Sequence, residues 1–319
     1  MTKRATKILV TGANGFIGKA LLSVLVQQGY EVIAAVRNLS SQKEFSTSMI
    51  AVGNIDQKTD WTKALKGVHI VIHLAARVHI MAERSAEALS LYRQVNVLGT
   101  LNLAQQAIKA GVTRFIFAST IKVLGEERSK PYTHQDIAAP ADAYALSKWE
   151  AEQGLQQLSQ QYNLEVIILR FPLVYGAGVK ANFLRLIKWV DKGVPLPFGA
   201  INNKRSLVYL GNLVDAITVC CQHYKASGKV FLISDGVDLS TTELIQRLAY
   251  HLQVKARLFS IDPWLIDNIL TLLGKKSEAR RLLGSLTVDN SYLCSVLNWQ
   301  VPYSIDEGLA NTISDYKNS

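Results

Sequence analysis

The chain has 319 residues, of which 49% are apolar, and it carries a formal net charge of +10 at pH 7. This length and apolar content suffice to bury the core of a large α/β unit, which excludes a disordered or fibrous chain. The basic residues are scattered and form no nucleic-acid-binding fingerprint, so the charge favours an anionic small molecule over nucleic acid as a partner.

The sequence predicts no membrane span, metal site or disulfide framework. Even the apolar run Trp264–Leu273 is interrupted by Asp267 and Asn268 and falls short of the roughly 20 residues that cross a bilayer. The segment Met1–Lys7 lacks the apolar region of a signal peptide, so we expect a cytoplasmic protein. The three cysteines show no metal-ligand spacing and are expected to be small buried residues.

The first half of the chain alternates β-branched runs with helical patterns, which predicts a parallel sheet with helices on both faces. The expected strands are Ile8–Val10, Glu31–Val36, Val68–Leu74, Arg114–Ala118 and Glu165–Arg170, with a further strand at Lys229–Ser234. Apolar residues at helical spacing predict helices at Lys19–Gln28, Asn96–Ala110 and Ala143–Tyr162. We therefore predict an α/β fold with a Rossmann-type doubly wound parallel sheet. Residues 1–170 form this unit, and residues 171–319 mainly form a smaller C-terminal α/β substrate lobe, with the strand at Lys229–Ser234 returning to the main sheet.

A glycine-rich turn follows the first strand and reads Thr11-Gly12-Ala13-Asn14-Gly15-Phe16-Ile17-Gly18. Gly12 permits the tight turn, Gly15 lets the backbone approach a pyrophosphate, and Gly18 allows the next helix to pack closely on the strand. The N–H groups at the helix N-terminus attract the anion. The turn therefore predicts that residues 1–170 bind NAD(P)(H).

The end of the second strand indicates which dinucleotide is bound. A carboxylate there would accept hydrogen bonds from the ribose 2′-hydroxyl of NAD and repel the 2′-phosphate of NADP. This chain has Val36-Arg37-Asn38 instead, and a guanidinium can pair bidentately with a phosphate. Arg37 therefore favours NADP(H), and a solvated surface arginine is the alternative interpretation.

A second motif, Tyr144-Ala145-Leu146-Ser147-Lys148, places a phenol and an ammonium one helical turn apart on the same face. A free tyrosine has a pKa of about 10, so it needs a nearby cation before it can accept a proton around neutral pH. Ser119-Thr120 follows the strand at Arg114–Ala118, at the carboxyl edge where ligands of open α/β sheets bind. The pattern predicts an acid/base pair, with the strand-end hydroxyl orienting the substrate oxygen.

These motifs resemble those of the extended short-chain dehydrogenases/reductases called NAD-dependent epimerases/dehydratases, and the resemblance covers essentially the whole chain. Further matches are His73 to Ala76, Asn96 to Thr100, Ser119 to Gly125 and Arg170 to Gly176. The resemblance implies that Thr120 is the catalytic hydroxyl, Tyr144 the acid/base and Lys148 the lysine that binds the cofactor ribose. With Arg37, the predicted cofactor-binding set is Gly12, Asn14, Gly15, Phe16, Ile17, Gly18, Asn54, Ile55, Leu74, Ala75, Ala76, Asn96, Tyr144 and Lys148. His73, inside a strand, is expected to be a core histidine.

The resemblance also implies a UDP-sugar as substrate. Asn182 and Phe183 resemble the segment that holds the nucleotide diphosphate, and Phe198 lies where relatives pack the uracil ring. Arg205 matches a phosphate-binding arginine, and its charge-assisted pairing with a diphosphate is physically reasonable. Thr120 is expected to contact the sugar.

Sugar 4,6-dehydratases of this family usually carry Asp-Glu directly after the catalytic threonine, whereas this chain has Ile121-Lys122, which argues against water elimination. Two reactions at C4 remain. NAD(P)H-dependent reduction of a UDP-4-keto-6-deoxy-sugar is the leading hypothesis, because Arg37 weakens the case for retained NAD. The alternative is 4-epimerisation of UDP-glucose or UDP-N-acetylglucosamine with retained NAD. A non-catalytic dinucleotide sensor is a third hypothesis, which the presence of Tyr144 and Lys148 disfavours.

Two further predictions concern surfaces. The resemblance implies a homodimer formed through the helices at Asn96–Ala110 and Ala143–Tyr162. The run Trp264–Leu273 precedes the basic residues Lys275, Lys276, Arg280 and Arg281 and is interpreted as a substrate-lobe helix with a basic end. A surface that docks on an acidic membrane is the alternative interpretation of this run.

Overall fold

The computed structural model describes residues 6–39, 47–78, 86–274 and 276–319. Within these ranges, the strands are β1 (Lys7–Thr11), β2 (Glu31–Val36), β3 (Ser48–Ala51), β4 (Ile70–His73), β5 (Arg114–Ala118), β6 (Glu165–Arg170), β7 (Leu173–Tyr175), β8 (Arg205–Tyr209), β9 (Val230–Leu232) and β10 (Asp238–Leu239). The large sheet has the order β3-β2-β1-β4-β5-β6-β9, and its neighbouring strands are all parallel. A small sheet has the order β10-β8-β7.

Helices cover both faces of the large sheet. The α-helices within the described ranges are α1 (Phe16–Gln27), α2 (Ala86–Tyr92), α3 (Thr100–Lys109), α4 (Ala143–Gln161), α5 (Ala181–Asp191), α6 (Leu210–Gln222), α7 (Thr241–Leu252), α8 (Pro263–Leu272), α9 (Lys276–Leu283), α10 (Ser291–Leu297) and α11 (Ile305–Asn318). A π-helical stretch, Arg93–Gly99, joins α2 to α3, and short 3-10 turns occur at Ile121–Val123 and Tyr224–Ala226. In the described parts of the chain, every helix is too short or too polar to cross a membrane.

The strands of the large sheet are apolar along their whole length because both of their faces are covered. Ile8 and Val10 of β1 face one core cluster, which α1 and α6 complete, while Leu9 faces the other, which α3 and α4 complete. This arrangement confirms the predicted Rossmann-type doubly wound fold. The strand order reverses direction between β1 and β4, and open α/β sheets bind ligands at such a switch point.

The chain after residue 170 contributes to both parts of the molecule. The small sheet packs with α5, α7, α8 and α11 around a third core cluster, which includes Phe183, Phe198 and Ile266. In contrast, α6 packs with α1 on the large sheet. Strand β9 pairs with β6, with Leu169 opposite Phe231. Helix α6 and strand β9, which both come from the sequence after residue 170, therefore connect the second lobe to the large sheet.

Candidate functional site

The glycine-rich turn joins β1 to α1 at the switch point. Gly12 has a φ of +65°, which side chains rarely adopt, and a Cβ there would lie 2.9 Å from the backbone nitrogen of Ala75. A Cβ on Gly18 would lie 2.2 Å from the Gly12 carbonyl oxygen, so this glycine allows α1 to pack closely on β1. Gly15 is the N-cap of α1, whose first turn contains no acidic residue. The helix N-terminus can therefore receive an anion. Around the turn, Asn14 and Gly15 are exposed, and Phe16 and Ile17 are half-buried.

The predicted adenosine contacts lie at the neighbouring edge of the sheet. Arg37 directly follows β2 and is exposed, and β2 is the parallel neighbour of β1. Asn54 is exposed, and its carbonyl oxygen accepts a hydrogen bond from Thr59 Oγ1 at 2.9 Å. Ile55 is half-buried, and its Cγ2 would lie 2.7 Å from a Cβ on Gly99. The fold thus places these three residues beyond the carboxyl ends of β2 and β3.

The residues after β4 lie beside the glycine-rich turn. Thr11 Oγ1 accepts a hydrogen bond from the backbone N–H of Ala75 at 3.2 Å and lies 2.7 Å from His73 Nδ1. The other ring nitrogen of His73 lies 3.0 Å from Thr100 Oγ1. Burial lowers the pKa of His73 to about 3. This histidine is therefore a neutral core residue that links β4 to β1 and α3. The predicted groove residues Leu74, Ala75 and Ala76 are half-buried.

Asn96 links the segment after β4 to α4. Its side chain is buried in the π-helical stretch, a distortion that often marks functional sites. The amide nitrogen donates to Ser147 Oγ at 2.9 Å and to the Arg77 carbonyl oxygen at 3.0 Å. The amide oxygen accepts from the Arg77 backbone N–H at 2.8 Å. Because Ser147 Oγ in turn donates to the Tyr144 carbonyl oxygen at 2.8 Å, these bonds hold the first turn of α4 in place.

The three residues predicted to be catalytic lie on neighbouring elements at the carboxyl edge of β5. Thr120 follows β5, and its Oγ1 accepts a hydrogen bond from the Lys122 backbone N–H at 3.3 Å. Tyr144 is half-buried in the first turn of α4. Lys148 lies one turn later and is buried, with its Nζ 4.0 Å from the centre of the Phe117 ring. The 3-10 turn after Thr120 packs against α4, so the fold brings the predicted residues to one edge.

Burial opposes the charged form of both ionisable groups of this set. Desolvation lowers the pKa of Lys148 to about 7, and the Glu152 carboxylate one turn further along α4 opposes this shift. Burial also raises the pKa of the Tyr144 phenol, and the nearby Asp142 carboxylate raises it further. The phenol therefore carries its proton at neutral pH and depends on a cation, such as Lys148, to give it up.

An ion pair that the sequence did not suggest joins the two catalytic elements. Lys122 Nζ lies 2.7 Å from Asp142 Oδ2 and 2.9 Å from Glu126 Oε1. Asp142 is also the N-cap of α4, where its other oxygen accepts a hydrogen bond from the Ala145 backbone N–H at 2.7 Å. Lys122 therefore ties the turn after Thr120 to the start of the helix that carries the phenol. The capping residue could be recognised from sequence, but its partner could not.

A buried ion pair lies on the same face of α4 as Lys148. Arg170 Nη2 lies 2.5 Å from Glu152 Oε2, and these side chains are 5% and 0% exposed, respectively. The Arg170 Nε donates to the two carboxylate oxygens at 3.1 and 3.2 Å, and the Ser119 hydroxyl donates to the same carboxylate. The network connects the end of β5, α4 and β6 through Ser119, the chain neighbour of Thr120. The sequence contains one indication of this pair. Glu152 follows Lys148 by four residues and therefore lies on the same face of α4, which is buried in the structure.

The structure does not bring all of the predicted substrate residues to an open surface. Arg205 begins β8, is half-buried and donates from Nη1 to the carbonyl oxygen that follows α9, at 3.0 Å. Asn182 is exposed on α5, and its Oδ1 accepts a hydrogen bond from Arg185 at 3.0 Å. Phe183 and Phe198, however, are buried in the core of the second lobe. The two polar side chains can therefore meet an anion, whereas the two rings contribute mainly to packing.

The residues present fit a bound dinucleotide. Gly12 and Gly18 have no side chain at positions where a Cβ would clash with backbone atoms. The N-terminus of α1 lies at the same edge of the sheet, and its first turn contains no carboxylate. The half-buried residues after β4 and the buried Lys148 lie further along this edge. The candidate cofactor residues thus follow β1, β2, β4 and β5, which is where open α/β sheets bind dinucleotides.

Comparisons with known proteins agree with this geometry. Residues 8–234 match the model of the NAD dependent epimerase/dehydratase family. The chain is 44% identical to a UDP-glucose 4-epimerase of Vibrio cholerae, over 97% of this chain and 95% of the relative. It is 26% identical to the N-acetyl-alpha-D-glucosaminyl-diphospho-ditrans,octacis-undecaprenol 4-epimerase of Escherichia coli O157:H7, over 96% of this chain and 94% of that protein.

A solved structure shares the fold over almost the whole chain. The UDP-glucuronic acid 4-epimerase from Bacillus cereus in complex with NAD aligns with a TM-score of 0.80 at 23% identity, covering 98% of this chain and 99% of that one. The family match covers more than half of the chain and includes all of the glycine-rich turn and the Tyr144–Lys148 motif. This protein is therefore an NAD-dependent enzyme that belongs to the NAD dependent epimerase/dehydratase family.

Proposed function

We propose that this protein is a UDP-sugar 4-epimerase that inverts C4 of a UDP-hexose or UDP-N-acetylhexosamine on a retained NAD. The observation that carries the proposal is the 44% identity, over 97% of the chain, to a UDP-glucose 4-epimerase. The proposal reverses the order of the two reactions predicted from sequence, which put reduction of a 4-keto sugar first because of Arg37. That residue bears on the cofactor, whereas the same catalytic residues suffice for both reactions.

In the proposed mechanism, the Tyr144 phenol exchanges a proton with the C4 hydroxyl of the sugar. Lys148 favours the phenolate while the hydroxyl loses its proton, and Tyr144 returns the proton when the opposite face of C4 is restored. Thr120 orients the C4 oxygen from the end of β5. When bound, NAD supplies the reversible redox chemistry at C4, and the glycine-rich turn, Leu74 to Ala76 and Lys148 would hold it.

The two positions directly after Thr120 do not carry the Asp-Glu pair that is typical of water elimination in this family. Ile121 is buried and apolar, and the Lys122 ammonium is engaged by Asp142 and Glu126. A dehydratase reaction is therefore not proposed. On the substrate side, Arg205 and Asn182 are the polar candidates for the diphosphate. The 26% identical Escherichia coli relative, named for an N-acetylglucosaminyl substrate, supports an N-acetylhexosamine as one candidate sugar.

The reductase remains a second candidate because of one specific observation. Arg37 is exposed directly after β2, where an NAD-selective site would carry a carboxylate. An NADP(H)-dependent 4-keto-sugar reductase would use this guanidinium to bind the 2′-phosphate. The homodimer and the cytoplasmic location stay predictions.

The deciding experiment measures cofactor and product together. The purified protein is assayed for bound NAD and for interconversion of UDP-glucose with UDP-galactose and of UDP-N-acetylglucosamine with UDP-N-acetylgalactosamine. We expect retained NAD and interconversion of at least one pair without added cofactor. Tyr144→Phe should keep its NAD and lose about 100-fold or more in kcat, because general acid/base catalysis is removed. The control is Tyr162→Phe, at the other end of the same helix and exposed, which should remain active.

A different result would replace the epimerase by the reductase. If neither pair is interconverted and the protein consumes one equivalent of added NADPH per UDP-4-keto-6-deoxy-N-acetylhexosamine, the epimerase proposal is wrong. In that case Arg37→Glu should shift the preference from NADPH towards NADH.

A further inference from the structure

We propose that α8 is a docking element that binds the surface of an anionic membrane through its outward face. This surface, here called the α8 face, consists of exposed apolar side chains. Trp264 is 71% exposed and Leu272 87% exposed, and a contiguous exposed apolar patch, unlike a single exposed residue, marks an interaction surface. The complete α8 face is formed by Trp264, Leu265, Ile269, Leu272 and Leu273. The proposal does not depend on which sugar the enzyme converts.

The α8 face is one side of an amphipathic helix that is already anchored by its other side. Ile266 is buried and Leu270 half-buried against the core of the second lobe. At 3.6 residues per turn, the five exposed positions occupy about half of the helix circumference. Asp267 falls on the remaining half, away from the exposed apolar side chains. Folding therefore fixes α8 on the lobe and leaves its second apolar face uncovered.

Basic side chains flank the α8 face on the elements that lie beside it. The backbone segment that leads into α8 pairs with the segment after α5, since the Leu196 N–H donates to the Arg257 carbonyl oxygen at 2.8 Å. Lys192, Lys255 and Arg257 are exposed along these two segments, and Lys188 is exposed in the last turn of α5. Apolar side chains beside exposed cations form the combination that binds anionic lipid at the interface.

The acidic residues nearby are directed to other contacts or lie off this face. Asp262 caps the N-terminus of α8, where it accepts a hydrogen bond from the Trp264 backbone N–H at 2.8 Å. Asp191 accepts a hydrogen bond from the Tyr316 hydroxyl at 2.9 Å. The flank is net positive because the four exposed basic side chains outnumber the nearby carboxylates of Asp191, Asp262 and Asp267. A second copy of the chain docked face to face would bring two such basic flanks together, whereas an anionic bilayer neutralises them.

Docking of α8 on a membrane would also bring the substrate side of the enzyme close to the bilayer. Helix α9 follows α8 and packs against it. The end of α9 borders the predicted substrate residue Arg205, because the carbonyl oxygen of Gly284, directly after α9, accepts a hydrogen bond from Arg205 Nη1 at 3.0 Å. On the same side, Arg280 Nη1 lies 3.9 Å from Glu126 Oε2 in the segment after Thr120. Docking through α8 would therefore hold the substrate side of the enzyme close to the bilayer surface.

The test is flotation of the full chain with vesicles of phosphatidylcholine alone or of an equimolar mixture with phosphatidylglycerol. We expect the protein to float with the mixed vesicles, to bind neutral vesicles much more weakly, and to be released by added salt. Leu272→Glu should weaken binding about tenfold or more, since a leucine no longer enters the interface. The matched control is Ile137→Glu, because Ile137 is 89% exposed but lies outside α8, and it should bind like the wild type.

A second variant tests the electrostatic part. Lys188→Gln combined with Lys192→Gln should weaken binding to mixed vesicles about tenfold and leave binding to neutral vesicles unchanged. All variants should keep the circular dichroism and unfolding midpoint of the wild type, so that a loss of binding reports on the surface. The proposal is overturned if the wild type does not float with mixed vesicles, or if Leu272→Glu and Ile137→Glu bind equally. It is also overturned if Leu272→Glu dissociates an oligomer in light scattering and vesicle binding is absent, because a second copy then covers the α8 face.

Discussion

Replacing Glu152 by glutamine should destabilise the protein far more than an equivalent change at a nearby exposed carboxylate. The substitution removes the charge that faces Arg170, whose side chain is only 5% exposed, while the side-chain size stays nearly the same. The guanidinium is then buried without its counter-ion, and the carboxylate that accepts the Ser119 hydroxyl is lost as well. Removing one partner of a buried ion pair costs about 3–5 kcal/mol. We therefore expect a loss of this size in the free energy of unfolding.

Glu150→Gln provides a matched control in the same helix. Glu150 in α4 forms an ion pair with Arg93 in the π-helical stretch, and these side chains are 27% and 47% exposed, respectively. Because water screens this pair, its loss should cost at most about 1 kcal/mol. Urea unfolding followed by circular dichroism, at equal protein and NAD concentrations, measures both changes. Equal losses for the two variants would refute the argument that burial sets the energy of the Glu152 pair.

Two further measurements separate the contributions of Glu152. The double variant Glu152→Leu with Arg170→Met should be more stable than Glu152→Gln, because no buried charge is left unpaired. Glu152 also opposes the desolvation that lowers the pKa of Lys148. Without it this pKa should fall further, so the ammonium is lost at lower pH. The alkaline limb of the kcat/KM profile should therefore move to lower pH in Glu152→Gln, and an unmoved limb would show that the pair is purely structural.

The remaining predictions concern His73 and Lys122. Burial holds the pKa of His73 at about 3, against about 6.5 in an unfolded chain, so the unfolded state binds the extra proton as the pH falls below 6.5. His73 should therefore cost about 1.4 kcal/mol of stability per pH unit between pH 6.5 and pH 3. His73→Gln should flatten this dependence in urea unfolding, the exposed His69→Gln should retain it, and parallel slopes in both would contradict the assignment. Lys122→Met leaves the Asp142 carboxylate without its cation, which should raise the pKa of Tyr144 and shift the acidic limb of the kcat/KM profile to higher pH. Lys122→Arg should preserve the wild-type profile, and superimposable profiles for Met and Arg would exclude this electrostatic role.

The fold could be predicted from sequence because its signals are local. Strands such as Ile8–Val10 are continuously apolar, as expected where both faces are covered. Three of the six predicted strands have the observed bounds, and the other three differ by at most two residues at either end. The glycine-rich turn also has local signals, since Gly12 has a positive φ and a Cβ on Gly18 would meet the Gly12 carbonyl oxygen. The helix predicted at Asn96–Ala110 begins instead within a π-helical stretch. Apolar spacing does not distinguish such an insertion from a regular helix.

The choice between reactions could not be made from single residues. Arg37 by itself favours a reductase, but Tyr144, Lys148 and Thr120 serve reduction and epimerisation equally well. Similarity along the whole chain carries more information about the reaction than one guanidinium at the end of β2. Phe198 shows the same limit, because a motif gives its place in the chain but not the burial of its ring.

The strand and helix patterns, the phosphate-binding turn and the tyrosine–lysine pair are each encoded in a short stretch of the chain, so they can be predicted from sequence. Which charges meet depends on the tertiary structure. Lys122 reaches Asp142 across 20 residues, and Arg170 at the end of β6 reaches Glu152 in α4. The tertiary structure also decides that α6 and β9 return to the large sheet and that the apolar face of α8 stays uncovered. Such contacts depend on the relative placement of whole elements, which is set by the packing of the entire core.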